Sequence, residues 1–443
     1  MLKLIFSDLL AGARVWLGTL LIAAATGAVA AVAAAEVQTA ARIGGNAGLA
    51  LYAISGTVLV FTAVTAIVVL GATTTLAVAL RQRGYALWLL IGVRPAQVTG
   101  VVVAQVVLVA LAGAVAGCAV VVPVLPAFFR FSLTGSSGLD GIEPSFGLVA
   151  AASAVLFVTM VVVLGGVRGA LRAGAAPVLH ALREPDLPRR RMTASRALTA
   201  VLLAAAVTGL VTSLPTTAPD KLSVPLMLLA PLTAGLFAAV GPLLFHRFVL
   251  LWTAVVPATS SAAWFLARES TSYNAGRSAA AISPLMVAVA LAGGLYTANR
   301  TAGAVIAART GEAPPGVSAG AAVLLIGGPL LLAVLGSAGT IFMSGRGRER
   351  EIALVQAAGG TRATVLAIAA GEAVIYVGTA VLLGSAAVLV TSVAGGWAAG
   401  EWVFAAPAVG LVAALGLVLT LLATTAPAAH ALREAVPRVL AAE

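Results

Sequence analysis

Apolar residues dominate this chain, and its few polar positions cluster between long apolar runs. Each run holds about 20 residues, the length that an α-helix needs to cross the hydrocarbon core of a bilayer. We therefore expect an all-α polytopic membrane protein. Ten runs predict transmembrane helices near residues 15–35, 54–80, 97–122, 146–167, 197–214, 224–245, 279–299, 319–343, 364–391 and 403–425.

The composition agrees with this interpretation. Hydrophobic residues make up 61% of the 443 residues and charged residues only 9%, whereas about a quarter of the residues in an average soluble domain are charged. The net charge of +11 therefore indicates arginines that set the orientation in the membrane, and we expect no nucleic-acid partner. The single cysteine, Cys118, lies within an apolar run, so neither a disulfide framework nor a cysteine-based metal site is expected.

Basic residues are distributed unevenly between the two sides of the predicted spans. If the N-terminus lies inside, all but five of the 26 lysines and arginines fall on the cytoplasmic side, as the positive-inside rule demands. We therefore expect both termini in the cytoplasm. The five exceptions are Arg42, Arg130, Lys221, Arg300 and Arg309.

The predicted loops are mostly short. The longest outer loop, 126–145, is too small to form an independent domain. On the cytoplasmic side, the stretch 247–278 carries few charges and several aromatic residues, including Phe248, Trp252 and Trp264. Because Trp and Phe settle at the level of the lipid headgroups, this stretch predicts an interfacial helix.

The densest run of charge lies at 346–362, between the eighth and ninth predicted spans. Its Arg-Glu-Arg-Glu sequence at 348–351 cannot lie in hydrocarbon and must project from the membrane. The apolar residues Ile352, Leu354 and Val355 follow, and then a glycine pair at 359–360. This pattern predicts a short amphipathic helix that ends at the glycines.

A weaker copy of this run occurs earlier, so the chain contains an internal repeat. When Arg81 is aligned with Arg348, the same offset places Gln105 opposite Glu372, within the helix that follows. The sequence His-Ala-Leu-Arg-Glu then closes both copies, although the chain has only three histidines. The identical pairs at the Arg81 offset include Arg83 with Arg350, Leu87 with Leu354, and Gly92 with Gly359.

The repeat predicts three parts: a first four-helix repeat at 1–185, a linker with two central spans at 186–259, and a second four-helix repeat at 260–443. Two spans lie between the repeats, and because this number is even, both repeats are expected to have the same orientation in the membrane. They would be related by a pseudo-twofold axis along the membrane normal. Such an arrangement suits a partner that is itself a twofold dimer.

These motifs resemble those of FtsX-like (MacB-type) ABC transporter permeases with a duplicated permease domain. The second copy is the better match to the family signature. The resemblance implies a coupling helix in each copy, which docks on an ABC ATPase subunit. The implied docking residues are Arg348, Glu349, Arg350, Glu351, Ile352, Leu354, Gly359 and Arg362 in the second copy, and Arg81, Arg83, Leu87, Gly92 and Arg94 in the first.

The resemblance also implies a function. The chain would be a multi-pass protein of the bacterial inner (plasma) membrane that exports or extracts an amphiphile by mechanotransmission. The implied substrate is a membrane lipid, an antimicrobial peptide or a small hydrophobic drug. Lys3 and Lys221 are the only lysines, and neither lies in a phosphate-binding loop. ATP and Mg would therefore be bound by a separate ATPase, as a dimer, and no cofactor, metal or catalytic residue is expected in this chain.

Several residues retain two interpretations. Glu372 and Gln105 are intramembrane polar positions, for which a structural role is favoured over proton coupling because glutamine cannot carry the proton. The repeat-closing residues are interpreted as packing or capping residues, since no ligand cluster supports a metal. They are His180, Arg183 and Glu184 in the first copy, and His430, Arg433 and Glu434 in the second.

The two copies of the coupling segment differ. The first copy has Gly84-Tyr85 where the second has Glu351-Ile352, which predicts weaker docking at the first copy. Two other functions remain open. One is a transmembrane signal transmitter that regulates a cell-envelope hydrolase or a sensor kinase. The other is a secondary transporter, which would need coupling-ion residues in helix centres that carry almost no charge.

Overall fold

The computed structural model describes residues 13–134, 141–174, 192, 194–217, 222–257, 261–273, 275–311, 316–344, 348–400 and 402–432. Throughout these ranges the regular structure is helical. The helices are α1 (Ala13–Ile43), α2 (Gly45–Leu80), α3 (Gln82–Leu90), α4 (Pro95–Val121), α5 (Leu125–Leu133), α6 (Leu148–Gly174), α7 (Ala194–Ser213), α8 (Ser223–Thr253), α9 (Ala262–Tyr273), α10 (Ala275–Thr310), α11 (Ala319–Ala322), α12 (Gly328–Ser344), α13 (Arg348–Ala357), α14 (Arg362–Ala399) and α15 (Ala406–Ala431). A π-helical turn at Val323–Gly327 joins α11 to α12.

Ten helical segments of the described chain are long and apolar enough to cross a membrane. They correspond one by one to the ten predicted spans, which confirms the prediction of an all-α polytopic membrane protein. Several helices extend beyond the predicted ends. α1 and α2, for example, are separated by Gly44 alone, and both Gly44 and Gly45 adopt positive φ angles of 64° and 60°. Glycine reaches this region without steric cost, which permits the tight reversal.

The predicted interfacial helix at 247–278 is wrong in its first part. Residues up to Thr253 continue α8, and the indole nitrogen of Trp252 donates a hydrogen bond of 2.9 Å to the hydroxyl of Thr379 on α14. Trp252 is therefore packed against another helix. The separate helix in this region is α9, which begins at Ala262.

Packing divides the chain into two units. The first comprises 1–186 and 316–336. Within it α1, α2, α4 and α6 surround a shared apolar core that includes Trp16, Leu70 and Val158. α1 and α4 approach closely because α4 carries glycine at the contact: a Cβ on Gly117 would overlap the carbonyl oxygen of Ala24.

The second unit comprises 187–315 and 337–443. α10 is its central helix and packs against α8, α14 and α15. Gly384 of α14 makes the close approach here, since a Cβ at this position would lie 2.7 Å from Cβ of Val289 on α10. The boundary between the two units falls within α12. These units are defined by packing, so the predicted division at 185 and 259 by sequence repeat stays a prediction.

Candidate coupling site

The charged run at 348–357 forms a short helix, α13, as the sequence predicts. α13 ends in a glycine turn: Gly359 has a φ of 93°, and the amide of Gly360 donates to the carbonyl of Val355 at 2.8 Å. The hydroxyl of Thr361 then accepts from the amide of Thr364 and caps α14. Hydrogen bonds thus satisfy the backbone on both sides of this turn.

The earlier copy at 82–90 forms the corresponding helix, α3. Gly92 has a φ of 95°, and the amide of Val93 donates to the carbonyl of Trp88 at 3.0 Å. The alignment of Arg81 with Arg348 pairs Gly92 with Gly359, Val93 with Gly360, and Trp88 with Val355. The two turns therefore have the same backbone hydrogen bonds at positions that the sequence alignment sets opposite each other.

Both short helices present a leucine to the surroundings at the same aligned position. Leu87 of α3 is 52% exposed and Leu354 of α13 is 55% exposed. α3 also exposes Leu90 and Ile91, close to its end. The apolar surface of α3 is thus at least as large as that of α13.

Tyr85, which stands where the second copy has Ile352, packs inside the protein. Tyr85 is fully buried and its ring lies edge-on to Trp88, with centroids 5.7 Å apart. The guanidinium carbon of Arg81 lies 5.8 Å from the centroid of the Tyr85 ring. Tyr85 therefore belongs to the packing of α3 rather than to its exposed face.

The remaining predicted site residues fall into two groups. Arg94 and Arg362 are exposed next to the first turns of α4 and α14, and His430 is exposed in the last turn of α15. The others lie outside what the structure describes, either as whole residues or as side chains on a described helix. The described residues do not include His180, Arg183, Glu184, Arg433 and Glu434. The structure describes the helical backbone, but not the side chain, of Arg83, Arg348, Glu349 and Arg350.

Gln105 and Glu372 are both buried, on α4 and α14 respectively. The hydroxyl of Ser270 on α9 donates a hydrogen bond of 2.8 Å to Oε1 of Glu372. This contact gives Glu372 a structural link between two helices.

A cavity of about 400 Å³ lies beside Glu372, enclosed by α9, α13, α14 and α15 of the second unit. Its walls are mainly apolar, and its polar lining includes Ser270, Tyr273 and three glutamates. The lining residues are Leu266, Glu269, Ser270, Tyr273, Glu351, Ile352, Val355, Val365, Ile368, Ala369, Glu372 and Ala428. Sequence reasoning singled out Glu372 but missed this cavity, because α9 is distant in the chain from α13, α14 and α15.

Glu36 is a buried carboxyl that the sequence analysis missed. It lies on α1, is only 1% exposed, and neither carboxylate oxygen has a hydrogen-bond partner among the described residues. The predicted first span ended near residue 35, one residue before Glu36. The helix continues to Ile43, which places this carboxyl inside a candidate span. The apolar residues on either side of Glu36 were the available signal.

The ten long apolar helices of the described residues define a polytopic membrane protein. Residues 56–178 match the family model described as FtsX-like permease C-terminal. This match supports an FtsX-like permease subunit of the ABC type, and members of that family are transport subunits. The matched segment lies in the first copy, although the charged motif is stronger in the second. A search of curated proteins found no match to this chain.

Proposed function

We propose that this permease couples ATP hydrolysis by a separate ATPase dimer to the export or extraction of an amphiphilic substrate. α3 and α13 would be the coupling helices, one in each packing unit. The observation that carries this proposal is the pair of identical glycine turns, each preceded by an exposed leucine. The ATPase would bind ATP and Mg, and the chain would lie in the bacterial inner membrane with cytoplasmic termini.

α13 is well placed to transmit a push into the membrane helices. Its residues Ile352 and Val355 pack against Val365 of α14 and Ala428 of α15. A movement of α13 would therefore carry the ends of two spans with it as a rigid body. This is the mechanical requirement for mechanotransmission.

α13 combines an exposed leucine with a charged sequence, and both suit a docking surface. Leu354 offers an apolar anchor, and the Arg-Glu-Arg-Glu sequence at its start offers alternating charges. Buried apolar anchors carry most of the binding energy in interfaces, while the surrounding charges give specificity and orientation. The partner would present a groove with a complementary charge pattern.

Co-purification with a co-expressed ABC ATPase from the neighbouring reading frame tests the docking role. We expect the triple substitution of Arg348, Glu349 and Arg350 by Ala to abolish association while the chain still inserts into the membrane. The matched control replaces Arg81 and Arg83 by Ala, for which a smaller loss is expected. Unchanged association of the triple variant would refute docking through α13, and an equal loss in the control would refute the asymmetry between the copies.

Secondary transport is the second candidate, and Glu36 is the observation that favours it. A buried carboxyl in a membrane span is costly and often functional. If it couples ion movement to transport, Glu36→Gln should abolish transport by the chain in proteoliposomes that contain no ATPase. If transport requires the ATPase and tolerates Glu36→Gln, this candidate fails. The signal-transmitter alternative gains no specific support from the described residues.

A further inference from the structure

Glu36 is a carboxyl group that the fold of the first unit encloses. Its side chain is 1% exposed, and neither carboxylate oxygen has a hydrogen-bond partner among the described residues. A carboxylate in such a place loses its hydration and gains no donor in return, whereas the uncharged carboxylic acid loses much less. The packed unit therefore favours Glu36 with its proton bound.

The residues one helical turn before and after Glu36 belong to an apolar cluster. Val32 and Ala40 lie on the same face of α1 as Glu36, since they are four residues away on either side. The cluster joins this face to one residue each of α2, α5 and the π-helical turn, namely Leu51, Phe129 and Leu324. All of these residues lie in the first unit. The carboxyl group is thus enclosed where four elements meet.

The polar residues next to Glu36 do have partners. The amide of Gly147 donates a hydrogen bond of 2.7 Å to Oε1 of Gln38, and the amide of Ser145 donates one of 2.9 Å to the hydroxyl of Thr39. These bonds hold the segment before α6 against the end of α1. Water therefore reaches Glu36 only where the apolar cluster and these two bonds loosen.

The charged groups of the elements around Glu36 are exposed or distant. α2, α4 and the stretch 316–336 contain no Asp, Glu, Lys, Arg or His. Three arginines lie roughly 30 Å along their helices from this end of the unit, namely Arg14, Arg168 and Arg172. The charged residues at this end that the structure describes are all exposed, namely Arg42, Arg130 and Glu143. Two further groups can titrate, the exposed Tyr52 of α2 and the buried Cys118 of α4.

We propose that Glu36 is a proton-binding site, and that release of its proton opens the end of α1 near Ile43. The ionised carboxylate needs water or a cationic partner, and the apolar cluster offers neither. The cluster therefore separates, and the hydrogen bonds of Gln38 and Thr39 to the segment before α6 separate with it. The site makes the packing of the first unit depend on pH. This proposal does not rest on the proposed function.

Infrared difference spectroscopy of the purified chain in dodecyl maltoside, a detergent without carbonyl groups, tests proton binding. A protonated carboxyl group has a carbonyl band that the carboxylate lacks. We expect the difference between the native chain and Glu36→Gln to contain this band at about pH 5 and to lose it by about pH 9. A band that is absent at the lower pH, or unchanged at the higher pH, would overturn the proposal.

Hydrogen–deuterium exchange in lipid nanodiscs tests the opening. The native chain and Glu36→Gln are compared at the same pH, so that the chemical pH dependence of amide exchange cancels. We expect equal exchange at about pH 5, where both side chains are uncharged. At about pH 9, peptides that cover 36–43 and 125–133 should exchange at least about tenfold faster in the native chain, because only its side chain ionises. Equal exchange at the higher pH would refute the opening.

Two controls accompany the exchange experiment. Glu143→Gln removes an exposed carboxyl group from the segment before α6 and should exchange like the native chain at both pH values. If it reproduces the effect of Glu36→Gln, the response belongs to surface charge and the role of Glu36 is wrong. α10 carries no acidic residue and serves as the reference within each chain.

The native chain alone decides the matter if Glu36→Gln does not insert into the membrane. Exchange at 36–43 should then rise more steeply with pH than exchange in α10, and a parallel rise would count against the proposal. All of these measurements use the chain without an ATPase and without transport. A proton that binds at Glu36 without driving transport therefore supports the proposal, even where docking through α13 or secondary transport fails.

Discussion

The hydroxyl of Ser270 donates a 2.8 Å hydrogen bond to Oε1 of Glu372 and so ties α9 to α14. α9 also packs closely against α14, since a Cβ on Gly371 would lie 2.9 Å from Cβ of Ala267. A hydrogen bond in this buried setting is worth about 1 kcal/mol net. The contact therefore helps to hold α9 against α14.

Ser270→Ala should loosen α9. The substitution removes the donor and leaves Oε1 of Glu372 without this bond, which we expect to cost about 1–3 kcal/mol in the free energy of unfolding. Thermal unfolding in detergent measures the loss. Ser272→Ala is the matched control, since Ser272 bonds only to the carbonyl of Glu269 within its own helix. Equal effects of the two substitutions would contradict the tie between α9 and α14.

Gly117→Ala should destabilise the first unit. The added methyl group would overlap the carbonyl oxygen of Ala24, so α1 and α4 must move apart. Overpacking of this kind costs about 1–3 kcal/mol. Gly100→Ala on the same helix is the control, because nothing lies within 4 Å of its Cβ position. A thermal melt in which both variants match the native chain would show that the helices do not approach closely here.

Gly359→Ala should strain the turn after α13. Its φ of 93° lies in a region that residues with a Cβ adopt only at a cost of roughly 1–2 kcal/mol. We expect lower ATPase activity of the reconstituted complex, since the link from α13 to α14 is distorted. Gly84→Ala on α3 is the control, as its Cβ would meet open space and its φ is not positive. Native ATPase activity in the Gly359 variant would argue against a rigid link.

Leu354→Ala tests the apolar anchor directly. The side chain is exposed in the isolated chain, so we expect no change in thermal stability. Affinity for the ATPase should fall about fivefold, a loss of about 1 kcal/mol for the truncation of one interface residue. Leu198→Ala removes an equally exposed leucine from α7 and should leave the affinity unchanged. The measurement is a binding titration in nanodiscs.

Leu87→Ala provides the matching test of the first copy. α3 exposes Leu90 and Ile91 in addition to Leu87, so apolar contact remains after the substitution. We expect a smaller loss of ATPase affinity than for Leu354→Ala. A larger loss would reverse the predicted order of the two docking helices, in line with the family match, which falls on the first copy.

Local features of the chain were predictable from its sequence. The length of each apolar run determines whether a helix can cross a bilayer, and charge between two runs must leave the membrane. The ten spans, the short helix α13 and the glycine turn at Gly359 follow from these rules. The alignment of Arg81 with Arg348 likewise indicated that Gly92 and Gly359 occupy corresponding turns.

The ends of the helices were less predictable. The first predicted span ended near residue 35, whereas α1 continues to Ile43 and Glu36 is buried. A separate helix was predicted from residue 247, whereas α8 continues to Thr253 and Trp252 bonds to Thr379 on α14. Both outcomes depend on the neighbouring helix rather than on local sequence.

The sequence by itself determined that this is a polytopic membrane protein with ten spans and two charged segments between spans, because hydrophobic length and charge act locally. Only the tertiary structure decided which carboxyl groups are buried and how Ser270 meets Glu372. It also decided that α9, α13, α14 and α15 enclose a cavity. Those features arise where helices distant in the chain pack together, and side-chain packing between distant segments leaves no periodic signal in the sequence.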